Sequence, residues 1–368
     1  VETSYTGKPY FFVPMIGSVD RRRALNRQKL LSSNAFAGKF SIKIECMTPL
    51  HFGSGRLKFD EVEQSFKHSL LRENKKIALP GSSFKGMLRT VFESVTASCV
   101  LLSPKALPRK IGNLKRCECD NNLNLCPACS VFGCLSYKGK LIISSFYTTP
   151  NIKTGDLKIP PLNQPFKTYS EDYNHKSKSK KDKDPKTGNE RLYYGDFSDI
   201  HGLDVARMKK DDFFAKKEDE HGSGGNFYGR KFYKHSGKHD KLASGKDSYE
   251  CLLKGAILEG EITYQGLNKE ELGALLFALG LGWGKPIFHK LGYAKPAFLG
   301  SVKLTITPKP LSERHAVKTM TLNEVNDLAE QYYSANESPI KEAVSAFEQQ
   351  WLEIGRSNWL KEKGKYGY

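Results

Sequence analysis

From Phe40 to Ile44, within KFSIKIECMTPLHFG (39–53), apolar and polar residues alternate, the period expected of a strand that buries one face and wets the other. After a polar loop the period changes. In GSSFKGMLRTVFESVTASCVLL, Phe84, Met87, Leu88, Val91, Phe92 and Val95 recur at three- and four-residue steps, which predicts a helix entered through a serine cap. GKLIISSFY (139–147) reads as a further strand and closes a β-α-β unit. A second unit runs from ECLLKGAILEGEITYQG (250–266) through the helical NKEELGALLFALGLG, capped by Asn268, to GSVKLTITP (300–308).

Two such units in series predict an α+β fold of the ferredoxin-like or RNA-recognition type, a mostly antiparallel sheet with helices on one face. Between them, residues 151–249 are rich in Lys, Asp, Gly, Ser and Tyr and include the run NHKSKSKKDKDPKTGNE. So polar a stretch buries too little apolar surface to order itself, so it reads as a long insertion with a mobile tip at about 174–190 and an ordered GRKFYKH (229–235). The last fifty residues look helical, with Ala343, Phe347, Trp351 and Leu352 on one stripe.

The 368 residues suffice for one large domain or two ordinary ones. No run approaches the roughly 18 apolar residues of a membrane span, and the N-terminus lacks the pattern of a secretory signal, so a cytoplasmic location and no membrane partner are expected. A formal net charge of +18 draws the molecule toward a polyanion. Nucleic acid is favoured over an anionic membrane, because the chain shows no strongly amphipathic basic helix.

Four of the eight cysteines fall in CECDNNLNLCPAC: Cys117, Cys119, Cys126 and Cys129. The C-x2-C at 126 and 129 has the spacing of a tetrahedral zinc knuckle, which predicts a structural Zn2+ site; Cys99 or Cys134 can replace one of the first two ligands. Four thiolates leave no open position for water, which argues against a catalytic zinc. Two other stretches carry anion-binding chemistry. LPGSSFKGMLR (79–89) offers Ser82, Ser83, Lys85 and Arg89 at a helix start, and HKLGYAKP (289–296) offers His289, Lys290, Gly292 and Lys295 in a tight loop. Their shared ingredients predict one surface that tracks a phosphate backbone, with Tyr228, Phe232 and Tyr233 available for stacking on bases.

Taken in order, TPLHFGSG, LPGSSFKGMLRTVFE, CPACSVFG, GKLIISSF, GRKFYKH and HKLGYAKPAFLGSVKL resemble the RAMP-superfamily backbone subunits of type III CRISPR RNA-guided effector complexes, closest to the type III-D variant, over about residues 40–308. The resemblance implies a modified RNA-recognition fold over 1–308, with a zinc-binding insertion at 99–138, a thumb-like insertion at 151–249 and a mainly helical extension at 309–368. It implies guide RNA (crRNA), target RNA and other type III effector subunits as partners, and adds Arg56, Arg230 and Lys231 to the RNA-binding set. In that family the loop after LHFG often carries an aspartate that supports Mg2+- or Mn2+-dependent cleavage of target RNA; Asp60 matches by position, with Glu61 and Glu63 as neighbouring acids. The loop departs from the better-known pattern, in which a proline closely follows the acid, and this weakens the assignment of cleavage. The superfamily also implies an alternative, an endoribonuclease maturing the guide precursor with His51 and His289 as acid and base.

Overall fold

The period-two stretch around Phe40 forms the middle of a sheet. The computed structural model of the chain describes residues 10–14, 16, 19–23, 35–61, 64–99, 119, 124–150, 152–159, 230–236, 247–311 and 319–348, with short paired stretches at 110–111, 114–115, 166–167, 190–191, 195–196, 226–227 and 351–352. Its principal elements begin with β1 (Tyr10–Val13) and β2 (Phe36–Cys46), followed by the hairpin β3 (Gly53–Asp60) and β4 (Ser65–Leu70). Next come β5 (Arg72–Glu73), β6 (Lys76–Leu79), α1 (Gly81–Ser94), α2 (Pro127–Phe132), β7 (Leu141–Ile143), β8 (Phe146–Thr148) and β9 (Thr154–Lys158). The later half supplies β10 (Arg230–Tyr233), β11 (Ser248–Leu252), β12 (Ile257–Leu267), α3 (Lys269–Ala278), β13 (His289–Lys290), β14 (Ser301–Lys309) and α4 (Leu322–Glu348).

The main sheet has the order β13-β14-β2-β12-β8-β6-β5, with β7 also paired to β12. Its pairs are antiparallel. The strands of the two β-α-β units thus stand fourth, first, third, second across the sheet, and the α+β, ferredoxin-like arrangement expected from the pattern is the one observed. Phe40, Ile42 and Ile44 of β2 are buried with Leu258, Ile262 and Tyr264 of β12 and with Val302 and Ile306 of β14. Against them lie Phe84, Leu88 and Phe92 of α1 and Leu275 and Leu276 of α3, and each such buried side chain contributes about 1.5–3 kcal/mol. The other face carries Lys39, Ser41, Lys43 and Glu45 on β2 and Glu259, Glu261 and Thr263 on β12, none of them buried.

Helix α3 starts as its sequence predicts, with Asn268 Oδ1 accepting from the Glu271 N–H at 2.8 Å and Glu271 Oε2 accepting from the Asn268 N–H at 3.0 Å. It is buried on all sides from Leu272 to Ala278, because α4 lies along it and Tyr332 stands where a side chain on Gly273 would go. The entry to α1 differs from expectation. Pro80 is its N-cap, no hydroxyl caps it, and Ser82 and Ser83 face outward.

A second, four-stranded sheet has the order β9-β11-β4-β3. The β11/β4 pair is parallel and its neighbours are antiparallel. The expected helical stripe through Trp351 and Leu352 does not form. Helix α4 ends at Glu348, and Trp351–Leu352 instead pair in parallel with His235–Ser236, giving their backbone a ladder partner at the base of the insertion. β1 pairs with β10, a contact across more than two hundred residues that no local pattern announces. The insertion tip at about 174–190 lies outside the described residues, save Glu190, which pairs with Lys167.

Two glycines of α1 separate packing from propensity. A Cβ on Gly81 would fall on the Ile143 carbonyl oxygen and within 2.6 Å of that of Ser144, whereas nothing lies within 4 Å of one on Gly86. Gly81→Ala is expected to cost about 1–3 kcal/mol through overpacking. Gly86→Ala is expected to stabilise by about 1 kcal/mol through helix propensity. Denaturant midpoints check both, and shifts of the same sign would contradict this placement of α1.

Candidate nucleic-acid interface and cysteine cluster

Four buried thiols meet beneath α1. Cys99, Cys119, Cys126 and Cys129 have sulfur atoms all within 4.8 Å of one another. Cys117 lies outside the described residues, Cys134 is not in the group, and Cys99 is the fourth member. Cys126 caps α2 and accepts from the Cys129 N–H at 3.4 Å, while the Cys126 N–H donates to Cys119 Sγ at 3.3 Å. Backbone donors aimed at sulfur suit thiolates. Hydrogen bonds from the thiols of Cys119, Cys129 and Cys99 pull the Cys126 thiol well below its ordinary pKa. A Zn–S bond of about 2.3 Å gives a tetrahedral S···S edge of about 3.8 Å. Cys99 and Cys129 stand 3.9 Å apart, close to that edge, and Cys126 and Cys99 3.2 Å, a pair that would open by about 0.6 Å around a zinc ion.

Arg89 points into this cluster. Its guanidinium donates to Cys129 Sγ at 3.4 Å, to the Gly133 carbonyl at 2.8 Å and to Glu93 Oε1 at 2.8 Å. The second oxygen of Glu93 accepts from Arg230 at 2.6 Å, and Arg230 also donates to the Cys99 carbonyl at 3.0 Å. Arg230 is 3% exposed, so both arginines, expected on RNA, are turned inward as struts of the fold. Lys231 lies 3.8 Å above the Tyr10 ring. Phe232 is stacked on Phe11 and Tyr233 packs against the smaller core, so these two expected stackers are partly buried against the chain's own residues; Tyr228 is outside the described residues.

The two cationic stretches do not meet in one groove. The start of α1 abuts the carbonyls at Ile143 and Ser144, beside β7 and β8. β13 lies at the far edge of the sheet, four strand spacings away, roughly 19 Å. His289 is buried, with its Nε2–H donating to the Ala278 carbonyl at 2.8 Å and Nδ1 unpartnered, and burial pushes its pKa down to about 4. Gly292 has φ +75°, and the backbone it lets approach is the chain's own: the Tyr293 N–H donates to the His51 carbonyl at 2.8 Å. Lys290 donates to the Leu299 carbonyl at 3.0 Å. Burial lowers the pKa of Lys295, and burial followed by the Arg89 charge lowers that of Lys85.

What the 289–295 loop does meet is the Leu50–His51 segment that leads into β3, and β11. His51, 3% exposed, holds Nδ1 2.6 Å from the Glu250 carbonyl, which places the proton on that nitrogen. Glu250 is itself clamped by Arg72, whose hydrogen bonds hold the carboxyl below its usual pKa. The Tyr249 ring stacks on His68 at 4.1 Å and on Tyr293 at 5.2 Å. Arg56 and Lys58 are exposed on β3, with Asp60 partly exposed at its end and Glu61 just beyond; Glu63 is outside the described residues. Asp60 is a strand-end residue, not a loop residue as expected, and it belongs to no group of three or more metal-binding side chains among the described residues. The exposed aromatics Phe59, Phe66 and Tyr293 escape pattern reading because strand alternation alone does not say which face lacks a partner.

The family model of the RAMP superfamily matches residues 43–302, from β2 through both β-α-β units to the start of β14. The chain belongs to the RAMP superfamily. Membership supports a CRISPR-associated, RNA-binding role, with RNA and other CRISPR subunits as partners. No curated protein matches the chain. Among the described residues no helix is long and apolar enough to cross a membrane. Within this RAMP protein Arg56 and Lys58 of β3 face outward, while Arg89, Arg230 and His289 support the scaffold.

Two measurements examine these assignments. Cys99→Ser is expected to lower both bound zinc and the melting temperature, while Cys117→Ser leaves zinc content at the wild-type level; the reverse pattern would exchange the two ligands. His289 has a folded pKa of about 4, below the ordinary 6.5, so the unfolded chain binds the extra proton between those values. Its contribution is therefore present above pH 6.5 and is lost as pH falls toward 4, by about 3 kcal/mol. His289→Gln should flatten stability against pH across that window, and an unchanged slope would assign the acid sensitivity elsewhere.

Proposed function

We propose that this chain is a guide-RNA-binding backbone subunit of a type III CRISPR effector complex, of the type III-D variety. The observation that carries the reading is the family match across both β-α-β units, 43–302. A net charge of +18 and the outward cations of β3 support it by suiting a phosphate chain. On this reading the 151–249 insertion serves as a thumb between guide and target, and the cysteine cluster carries a structural zinc. The guide-maturing endoribonuclease is less well supported, because His289 is committed to the Ala278 carbonyl and does not stand free beside His51.

Target cleavage rests on Asp60. With no group of three or more metal-binding side chains around Asp60 among the described residues, a Mg2+ or Mn2+ ion there would take most of its coordination from RNA phosphates. Asp60→Ala is expected to abolish cleavage of target by the assembled particle with guide RNA still co-purifying; cleavage at the wild-type rate would free Asp60 of that role. Replacing Arg56 and Lys58 by alanine should reduce the salt slope of RNA binding by up to about 1.4, at roughly 0.7 per single-strand phosphate neutralised. A chain that neither co-purifies with RNA nor binds it in low salt would sink the whole reading.

A further inference from the structure

The second sheet leaves one face partly uncovered. Phe59 on β3 and Phe66 on β4 are paired residues, their rings edge to face at 5.4 Å, yet they are 53% and 46% exposed. Leu57, two residues back on the same face, is 54% exposed. Opposite Leu57 lies His68, and opposite His68 across the parallel pair lies Tyr249. The His68 and Tyr249 rings are 2° from parallel at 4.1 Å, and Tyr293, 40% exposed, continues the stack from the 289–295 loop. One face of three strands thus presents a row of aromatic rings that begins in the smaller core and ends in solvent.

We propose that this ledge receives unpaired bases of a single-stranded RNA. The inference rests on the RNA-binding reading above and adds to it the part of the RNA that is gripped. Two features favour bases over an apolar protein surface. Arg56 and Lys58 are exposed on the same edge strand, alternating with Leu57 and Phe59; of the acids near the row, Asp60 ends that strand and Glu61 follows it, Asp247 lies 3.9 Å from His68, Asp156 is paired with Lys67 and Glu250 with Arg72. Flat apolar rings with cations on the same edge strand are the combination that holds stacked bases on an anionic backbone. In addition, β2 and β12, the central strands of the main sheet, offer Lys39, Lys43, Glu259 and Glu261 on the open face and no ring on which a base can lie. Beside them β8 adds Tyr147 on the open face, 39% exposed and donating its hydroxyl to Glu73, one ring where the second sheet presents a paired row.

The test uses the chain freed of co-purifying RNA by high salt, and an unstructured RNA oligomer carrying the fluorescent base 2-aminopurine, beside the same backbone with abasic sites. Wild type is expected to prefer the base-bearing oligomer and to quench its fluorescence. Phe59→Ala with Phe66→Ala, at exposed positions, should lose about five- to 100-fold in affinity for that oligomer, lose the quench, and bind the abasic backbone as before. Phe59→Tyr with Phe66→Tyr keeps the rings and should keep the quench. Wild-type binding and quenching in the alanine variant would overturn the ledge while leaving RNA binding intact, as would a wild type that does not distinguish the two oligomers. Loss of self-association or of co-purifying subunits with the quench retained would make the face a protein interface instead. A wild type that binds neither oligomer removes the RNA reading itself, a result separate from the others.

Discussion

One buried carboxylate ties together parts of the chain that have no other reason to meet. Glu93, on the last turn of α1, divides its two oxygens between Arg89 and Arg230. Arg89 reaches the cysteine cluster, and Arg230 reaches the Cys99 carbonyl from a strand that also pairs with β1. Helix, thiols, insertion base and N-terminal strand are therefore positioned by the same three hydrogen-bonded ions. Removing one member of such a buried group costs about 3–5 kcal/mol, since a charge is left without compensation in low dielectric. The arrangement orders the base of the insertion while asking nothing of its lysine-rich remainder.

That constraint explains why basic residues divide into two populations. Arg89 and Arg230 stand where carbonyls, a carboxylate and a thiol converge, and His289 reaches from β13 to the last carbonyl of α3. Arg56 and Lys58 lie on an edge strand, where long cationic side chains also discourage another strand from adding on. A basic composition thus serves the interior as well as the surface, and only the second population is available to a polyanion.

Much of the architecture was legible because it rests on period. The alternation at Phe40–Ile44, the helical spacing from Phe84 to Val95 and the Asn268 capping box all appear as read. Contacts set by tertiary placement were not legible. Spacing could name Cys126 and Cys129 as a knuckle but could not choose between Cys99 and Cys117, since the choice depends on the chain's path after α1. Likewise the likeness between 79–89 and 289–296 suggested a common surface, whereas strand order sets them about four strand spacings apart. The Phe59–Phe66 ledge was hidden for a related reason: alternation reveals two faces, and only the packing of the loop at 289–295 decides how far one of them is covered.

The loop glycines carry a lesson for comparing related chains. A side chain on Gly292 would collide with the His51 carbonyl oxygen, and one on Gly300 with that of Leu291. Both collisions are internal, so selection would retain these glycines in a descendant that had abandoned nucleic acid altogether. Their presence marks inherited architecture, and an active member of a lineage has to be told from a retired one by its outward-facing side chains.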